Sequence, residues 1–170
     1  MKNVASLLIL SIITIALSKQ VFCQEDDSDS RKTLSGIKSL DISVSDIGQD
    51  AIIQRGLTSS QIQTDVELKL RSSGIKIIPS PKQNPTNVGD PHIFVQITII
   101  KTDNDLVAFD VNFELRQIVS LTRDHSILAY ATTWRAGVTG LIPLTRSERI
   151  RDVAKDLTDQ FINAYLAANK

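Results

Sequence analysis

The chain is poor in the residue types that most often carry chemistry. It has one cysteine, Cys23, and two histidines, His92 and His125, among 170 residues. A single cysteine excludes a disulfide within the chain and a site with several cysteine ligands. The histidines are 33 residues apart, so they cannot form the i, i+4 pair with which a helix binds zinc. We therefore expect no metal site and no cofactor.

Catalytic and phosphate-binding motifs are also missing. There is no Gly-x-Ser-x-Gly elbow, and a serine nucleophile would need one of the two isolated histidines as its base. Residues 137–140 (Gly-Val-Thr-Gly) lack the lysine of a phosphate-binding loop. Asp110 and Glu114 are the one carboxylate pair expected on a shared sheet face, and about 13 Å of strand separates them, too far for a glycosidase pair. We expect a protein that is not an enzyme.

The chain has no apolar run long enough to span a bilayer. The longest, Val4 to Leu17, has 14 residues, whereas a membrane-spanning helix needs about 20. Lys2 precedes this run and a short polar segment with small residues follows it, which is typical of a secretory signal peptide. We expect residues 1–23 to be removed and the mature chain to act in the periplasm or outside the cell.

Two cleavage points satisfy the preference for small or uncharged residues, one after Ser18 and one after Cys23. The second is favoured, and it leaves Gln24 first and no cysteine in the mature chain. Cleavage after Ser18 leaves one unpaired cysteine that is free to pair between chains. Phe22 stands directly before Cys23 and disfavours a lipid anchor, because lipoprotein signals place a small residue there.

Neither sign of charge dominates. Lys and Arg together number 19, as do Asp and Glu, and loss of residues 1–23 removes two lysines and leaves a net charge of −2. Such a balance gives no electrostatic attraction to nucleic acid or to anionic lipid. The 147 residues that remain suit a single domain.

Residues 24–37 are expected to be a disordered tether ahead of one domain over 38–170. Residues 25–30 (Glu-Asp-Asp-Ser-Asp-Ser) contain nothing apolar to bury. A calcium site on this acidic run is disfavoured, because no Gly-containing loop of the EF-hand type follows it.

Apolar periodicity predicts the elements of the domain. Leu40, Ile42 and Val44 alternate with polar residues and indicate a strand over 39–47. A helix follows from a capping box formed by Thr58 and Gln61. The remaining patterns are a helical stripe at Ile62, Val66 and Leu70, a short strand at 75–78, an irregular proline-rich loop at 79–91, strands at 93–100, 107–121 and 127–136, and a last helix after a second capping box, Thr145 and Glu148.

Side-chain alternation also predicts how the strands pair. Ile97 opposite Val111 keeps both apolar sets on one face, and a slip of one residue would expose one of them. A tight turn at Asp124 and His125 sets the register of the next pair. In that register Leu121 faces Leu128, Val119 faces Tyr130, Gln117 faces Thr132, Leu115 faces Trp134 and Glu114 faces Arg135.

The fold class that follows is α+β. The order β-α-β-β-β-α, from which the short strand at 75–78 is left out, predicts a two-layer sandwich, with a mixed four- to five-stranded sheet and two helices on one face. Over residues 38–168 this order resembles the LptE-type and TolB amino-terminal modules of bacterial envelopes. The ending, residues 132–135 through 159–169, is similar to a group of uncharacterised exported bacterial proteins. The resemblance implies an exported envelope module and no particular activity.

The wet face of the sheet is the candidate interaction face, because scattered apolar residues stand among charges there. Its members are Phe94, Gln96, Ile100, Asp110, Asn112, Glu114, Arg116, Ile118 and Arg135. The strand edges at 39–47 and 127–136 offer places where a partner could add a strand. We expect a non-enzymatic interaction or assembly module of the cell envelope, whose partner is an envelope protein or a second copy.

The alternative is a carrier of a small ligand. Its pocket would lie between helices and sheet and would be lined by aromatic residues, namely Trp134, Tyr130, Phe113 and Phe161. The same residues would equally serve as the core of a domain of this size.

Overall fold

The computed structural model describes residues 21–24, 27–48, 56–78, 90–102 and 104–170. Most of the expected signal peptide and residues 79–89 of the proline-rich loop lie outside this part. No helix in the described ranges is both long and apolar enough to cross a membrane.

One sheet carries the fold, with the two longer helices on one of its faces. The elements in chain order are β1 (Val21–Gln24), α1 (Ser28–Lys32), β2 (Asp41–Val44), α2 (Ser59–Ser72), β3 (His92–Lys101), β4 (Leu106–Leu121), β5 (Asp124–Pro143), a 3-10 helix (Leu144–Arg146) and α3 (Arg149–Ala168). The sheet order is β1-β5-β4-β3-β2. Among the named strands, β2 and β3 run parallel, and the other neighbouring pairs are antiparallel. The predicted α+β sandwich with a mixed sheet is confirmed.

Local sequence signals place α2 well and α3 less well. Thr58 and Gln61 form the predicted capping box, and the predicted stripe of α2 is buried. The second capping box is wrong, since α3 begins at Arg149 and Glu148 makes no side-chain cap. Leu144, which is buried, opens a 3-10 turn instead, so the chain enters α3 about one turn later than its Thr-x-x-Glu pattern suggests.

The pairing of β3 with β4 follows the prediction. Ile97 lies opposite Val111, and the odd-numbered apolar residues of both strands are buried from Ile93 to Leu115. Their even-numbered neighbours form the opposite face of the sheet, which we call the outward face.

The pairing of β4 with β5 follows the prediction only as far as Leu115 and Trp134. The next residue, Arg116, pairs with Thr132, so Thr133 is an extra residue in β5 and forms a β-bulge. Gln117 therefore faces Ala131 and not Thr132. Its side-chain amide donates to Thr133 Oγ1 at 2.7 Å, which pairs the polar group of Gln117 with the bulged residue.

The turn of this hairpin also differs from the prediction. Residues 122 and 123 form it, and Asp124 already pairs with Leu121 at a second irregularity of the ladder. Asp124 accepts hydrogen bonds from the backbone and hydroxyl of Ser126 at 3.0 and 2.6 Å. This local bonding of Asp124 to the residue two places on competes with the turn predicted at Asp124 and His125. The bulge at Thr133, and not this turn, sets Ile118 instead of Val119 opposite Tyr130.

The described part of the expected tether is ordered and packed. Asp27 caps α1, and Leu34 and Ile37 belong to the buried core. The amide of Asn169 donates to the Leu34 carbonyl at 3.0 Å, and the Tyr165 hydroxyl donates to the Ile37 carbonyl at 2.8 Å. Two buried apolar residues and these two hydrogen bonds attach the segment to the end of α3.

Three of the four aromatic residues proposed to line a ligand pocket are in contact in the core. The ring centroids of Phe113, Trp134 and Phe161 lie 5.3 to 6.2 Å apart, and all three side chains are fully buried. The fourth, Tyr130, is not with them, because the bulge places it opposite Ile118 on the outward face. These contacts are those of a packed core.

Candidate interaction face

The outward face brings together the residues that the sequence assigns to it. Glu114 lies directly opposite both Phe94 and Arg135. Gln96 lies opposite Asn112, and Ile100 lies opposite Ala108 towards the other end of the ladder. The rest of the predicted set, Asp110, Arg116 and Ile118, alternates along β4 on this side. Three adjacent strands therefore supply one continuous surface.

The charged side chains in the middle of this face are bound to one another. Arg116 donates from Nε to Glu114 Oε2 at 2.8 Å, and Thr132 donates to the same carboxylate oxygen at 3.2 Å. The Arg116 guanidinium also lies 4.1 Å from the centroid of the Phe94 ring, a distance at which the cation is attracted to the ring face. These contacts hold side chains of β3, β4 and β5 in one preorganised surface.

A second polar group lies further along β4. Asp110 accepts hydrogen bonds from Asn112 and, at 2.6 Å, from the Thr139 hydroxyl of β5. Gly137 lies opposite Asn112, and a Cβ at this glycine would approach Asn112 Oδ1 to 2.5 Å. The glycine therefore leaves the space that the Asn112 amide occupies.

The outward face ends in an apolar extension. β3 begins at His92, opposite Arg116, and has no residue to pair with β4 past that point. β4 and β5 therefore continue over 117–131 as a two-stranded hairpin that we call the arm. On its outward side Ile118 faces Tyr130, and Ser120 faces Leu128. Tyr130 is 57% exposed and Leu128 63% exposed. Large apolar side chains concentrated at one end of a polar face are typical of a recognition surface.

Tyr130 also lies within electrostatic range of the polar part of the face. Partial burial raises the pKa of its phenol, the Asp41 carboxylate raises it further, and the Arg116 guanidinium opposes both. The phenol is therefore neutral at physiological pH and can donate a hydrogen bond to a partner.

A polar relay that sequence reasoning missed lies at the start of β2 and β3. His92 Nδ1 is 2.8 Å from Asp41 Oδ1, and His92 Nε2 is 2.9 Å from Ser43 Oγ. With its proton on Nδ1, the ring donates to Asp41 and accepts from the Ser43 hydroxyl, which is the connectivity of a Ser-His-Asp triad. Asp41 and Ser43 stand two residues apart in β2, and the parallel pairing of Asp41 with His92 brings the three together.

His125, the other histidine, is exposed near the tip of the arm, 3.4 Å from Ser120 Oγ. Within the described residues, no three His, Cys, Asp or Glu side chains converge closely enough to hold a metal ion.

Comparisons with known proteins give structural likeness alone. No protein-family model matches the chain, and no curated protein matches it. The structure of a PelC dodecamer from Paraburkholderia phytofirmans is 16% identical, with a TM-score of 0.39, covering 86% of this chain and 96% of that one. A minor lipoprotein from Acinetobacter baumannii is 14% identical, with a TM-score of 0.39, covering 78% and 93%.

The names of these neighbours, PelC and a minor lipoprotein, are said of those proteins alone. They do not single out LptE-type or TolB modules. At this level of similarity they give the chain neither a family nor a function.

Proposed function

We propose that this protein is an exported, non-enzymatic interaction module of the cell envelope and that it binds its partner through the outward face and the arm. The observation that carries the proposal is the exposure of Leu128 and Tyr130 on a hairpin that leaves the body of the sheet. Burying such side chains in a partner is favourable, at about 1.5 to 3 kcal/mol for each large apolar residue. The polar centre of the face then supplies register and specificity.

The charged side chains at the centre of the outward face are paired with one another, which supports this role. Glu114 already has Arg116 and Thr132 as partners, so docking a partner does not strip an unpaired charge of its water. Preorganised polar contacts beside an apolar group reduce the ordering cost of association. The partner is an envelope protein or a second copy, and the site of action is the periplasm or the cell exterior.

A substitution on the arm tests the proposal. Two lysines, in the variant Leu128→Lys/Tyr130→Lys, place charge where an apolar contact is required. The matched control is Leu68→Lys, because Leu68 on α2 is 67% exposed and lies away from the outward face. In native size-exclusion chromatography of envelope extracts, we expect the wild type and the control to elute in a complex larger than the mature chain, and the arm variant to elute alone. Identical elution of all three would contradict the proposal.

A second candidate function rests on the Asp41–His92–Ser43 relay, whose two hydrogen bonds fit a serine nucleophile with its base and orienting acid. The function it favours is acyl or phosphonyl transfer at Ser43. A fluorophosphonate probe tests it directly. The serine oxygen would bond to phosphorus, fluoride would leave, and the hydroxyl proton would pass to His92.

Ser45 provides the matched control for this test. It directly follows β2, two residues after Ser43, but its hydroxyl accepts from the Ile97 amide at 2.8 Å instead of bonding to a histidine. Labelling that is lost in Ser43→Ala and Asp41→Asn and kept in Ser45→Ala would show an activated serine at this position and would favour the enzymatic function. Labelling no stronger than that of the Ser43→Ala variant would leave the interaction module as the sole candidate.

A further inference from the structure

In the part of the chain that the structure describes, the outer edge of β5 has no partner strand along the arm. β1 pairs with this edge at residues 136–139, and among the described residues no strand pairs with it at 126–132. These seven residues (Ser-Ile-Leu-Ala-Tyr-Ala-Thr) contain no charge, proline or glycine. Free edges are normally protected by charges, prolines or bulges, and an unprotected apolar edge is a template for another strand.

We infer that the strand which completes this edge is residues 126–132 of a second copy of this chain, paired antiparallel with its own counterpart. The inference rests on the proposed interaction function and names its partner.

The chemistry of the segment is symmetric about Ala129, and this symmetry favours a second copy over an unrelated strand. A two-fold axis at Ala129 sets Leu128 opposite the second copy's Tyr130. It also sets Ile127 opposite Ala131 and Ser126 opposite Thr132, so apolar groups meet apolar groups and hydroxyl meets hydroxyl. Each pair forms twice, as an isologous interface requires.

The two faces of the arm agree with this register. Opposed residues of an antiparallel pair lie on one face of the sheet, and Leu128 and Tyr130 are both outward. A slip of one residue would set Leu128 against a residue of the inward side.

Disulfide trapping tests the register with a matched pair of variants, each made in a Cys23→Ser background. In Ala129→Cys the two thiols face each other across the axis, with Cα atoms about 4.5 to 5.5 Å apart, a separation that a disulfide spans. In Ala131→Cys the two copies' residues are about 13 Å apart along the strand, which a disulfide cannot span. Both positions are alanines on the same side of the same strand.

The proteins are exported through their own signal, purified, oxidised and resolved by non-reducing electrophoresis. We expect at least ten times more disulfide dimer from Ala129→Cys than from Ala131→Cys, and loss of this dimer when Leu128→Lys is added. Native mass spectrometry of the wild type, which needs no variant to fold, should show a dimer. A monomeric wild type together with equal trapping at the two positions would overturn the inference.

The result is distinguishable from a failure of the proposed function. If Ala129→Cys gives no dimer and the wild type is a monomer when pure, but elutes in a larger envelope complex that Leu128→Lys/Tyr130→Lys abolishes, the partner is another protein. The second copy is then excluded and the interaction function stands. If the arm variant and the wild type also elute alike in envelope extracts, both proposals are excluded.

Discussion

Ile118 lies directly opposite Tyr130 on the outward side of the arm. A regular ladder continued from Leu115 and Trp134 would set Val119 opposite Tyr130 on the inward side instead. The extra residue Thr133 reverses this assignment, because a bulge changes which side chains of its strand share a face with the neighbouring strand. The bulge therefore places Leu128 and Tyr130 on the outward side of the arm.

The first prediction concerns the side chain that holds the bulge. Gln117 Nε2 donates to the Thr33 carbonyl at 3.1 Å and to Thr133 Oγ1. We expect Gln117→Ala to lower the free energy of unfolding by about 1 to 2 kcal/mol, since it leaves half-buried partners unsatisfied. Urea denaturation measures the change. Gln96→Ala, on an exposed part of the outward face, is the control and should change stability by less than about 0.5 kcal/mol.

The second prediction concerns the segment before β2. Leu34 is fully buried, so Leu34→Ala should lower the free energy of unfolding by about 2 to 5 kcal/mol. Ser35→Ala, at the exposed neighbouring position, should have almost no effect. Equal stability of the two variants in urea denaturation would mean that this segment is the tether expected from its polar composition.

The third prediction concerns the aromatic core. Trp134 is buried against Phe113 and Phe161, and Trp134→Ala should cost about 3 to 5 kcal/mol. Leu68→Ala, at a residue that is mostly exposed, should cost less than about 0.5 kcal/mol. Circular dichroism during urea unfolding measures both. A stable Trp134→Ala variant would point back to a ligand pocket lined by these rings.

The fourth prediction is a pH dependence at the contact between α2 and α3. Asp65 accepts two hydrogen bonds from the Arg151 guanidinium, the one from Nη2 to Oδ1 at 2.8 Å. Hydrogen bonding to Arg151 lowers the pKa of Asp65, and partial burial opposes the effect. Because the folded pKa lies below the ordinary value of 3.8, the pair stabilises the fold above that pH. Its contribution is lost as the pH falls through the folded pKa.

Asp65→Asn should therefore be less stable than the wild type by roughly 1 kcal/mol at pH 7, and the difference should shrink below pH 3.8. Asp159→Asn is the matched control, since Asp159 pairs with Lys69 across the same two helices but is 52% exposed. Its effect at pH 7 should be smaller, because exposed ion pairs contribute little. A difference between Asp65→Asn and wild type that does not change with pH would contradict this account.

The sequence was informative wherever one face of the sheet had to be buried. Ile97 opposite Val111 and Leu115 opposite Trp134 could be predicted, because a slip at either pair would expose a run of apolar residues. The arm offers no such constraint, since apolar residues stand on both of its sides, Ile127 on one and Leu128 on the other. Alternation could not show where its ladder changes register.

Long-range contacts account for what sequence reasoning missed. The bulge at Thr133 is tied through Gln117 to the Thr33 carbonyl, which is 84 residues from Gln117, and no local pattern reports such a bond. The relay of Asp41, Ser43 and His92 needs the parallel register of β2 with β3. The sequence did contain one signal for this relay. Asp41 and Ser43 stand at i, i+2 in β2, so they share its outward face, while the other face of that strand is apolar.

The most direct test of the central claim is photo-crosslinking from Tyr130 in the living host, at native abundance. A photoreactive phenylalanine analogue replaces Tyr130 in one strain and Leu68 in another, because both side chains are more than half exposed but only Tyr130 is on the outward face. We expect a discrete crosslinked species from Tyr130, either twice the mass of the mature chain or its mass plus that of an envelope protein, and none from Leu68. Absence of any product from Tyr130, or the same products from both positions, would contradict it.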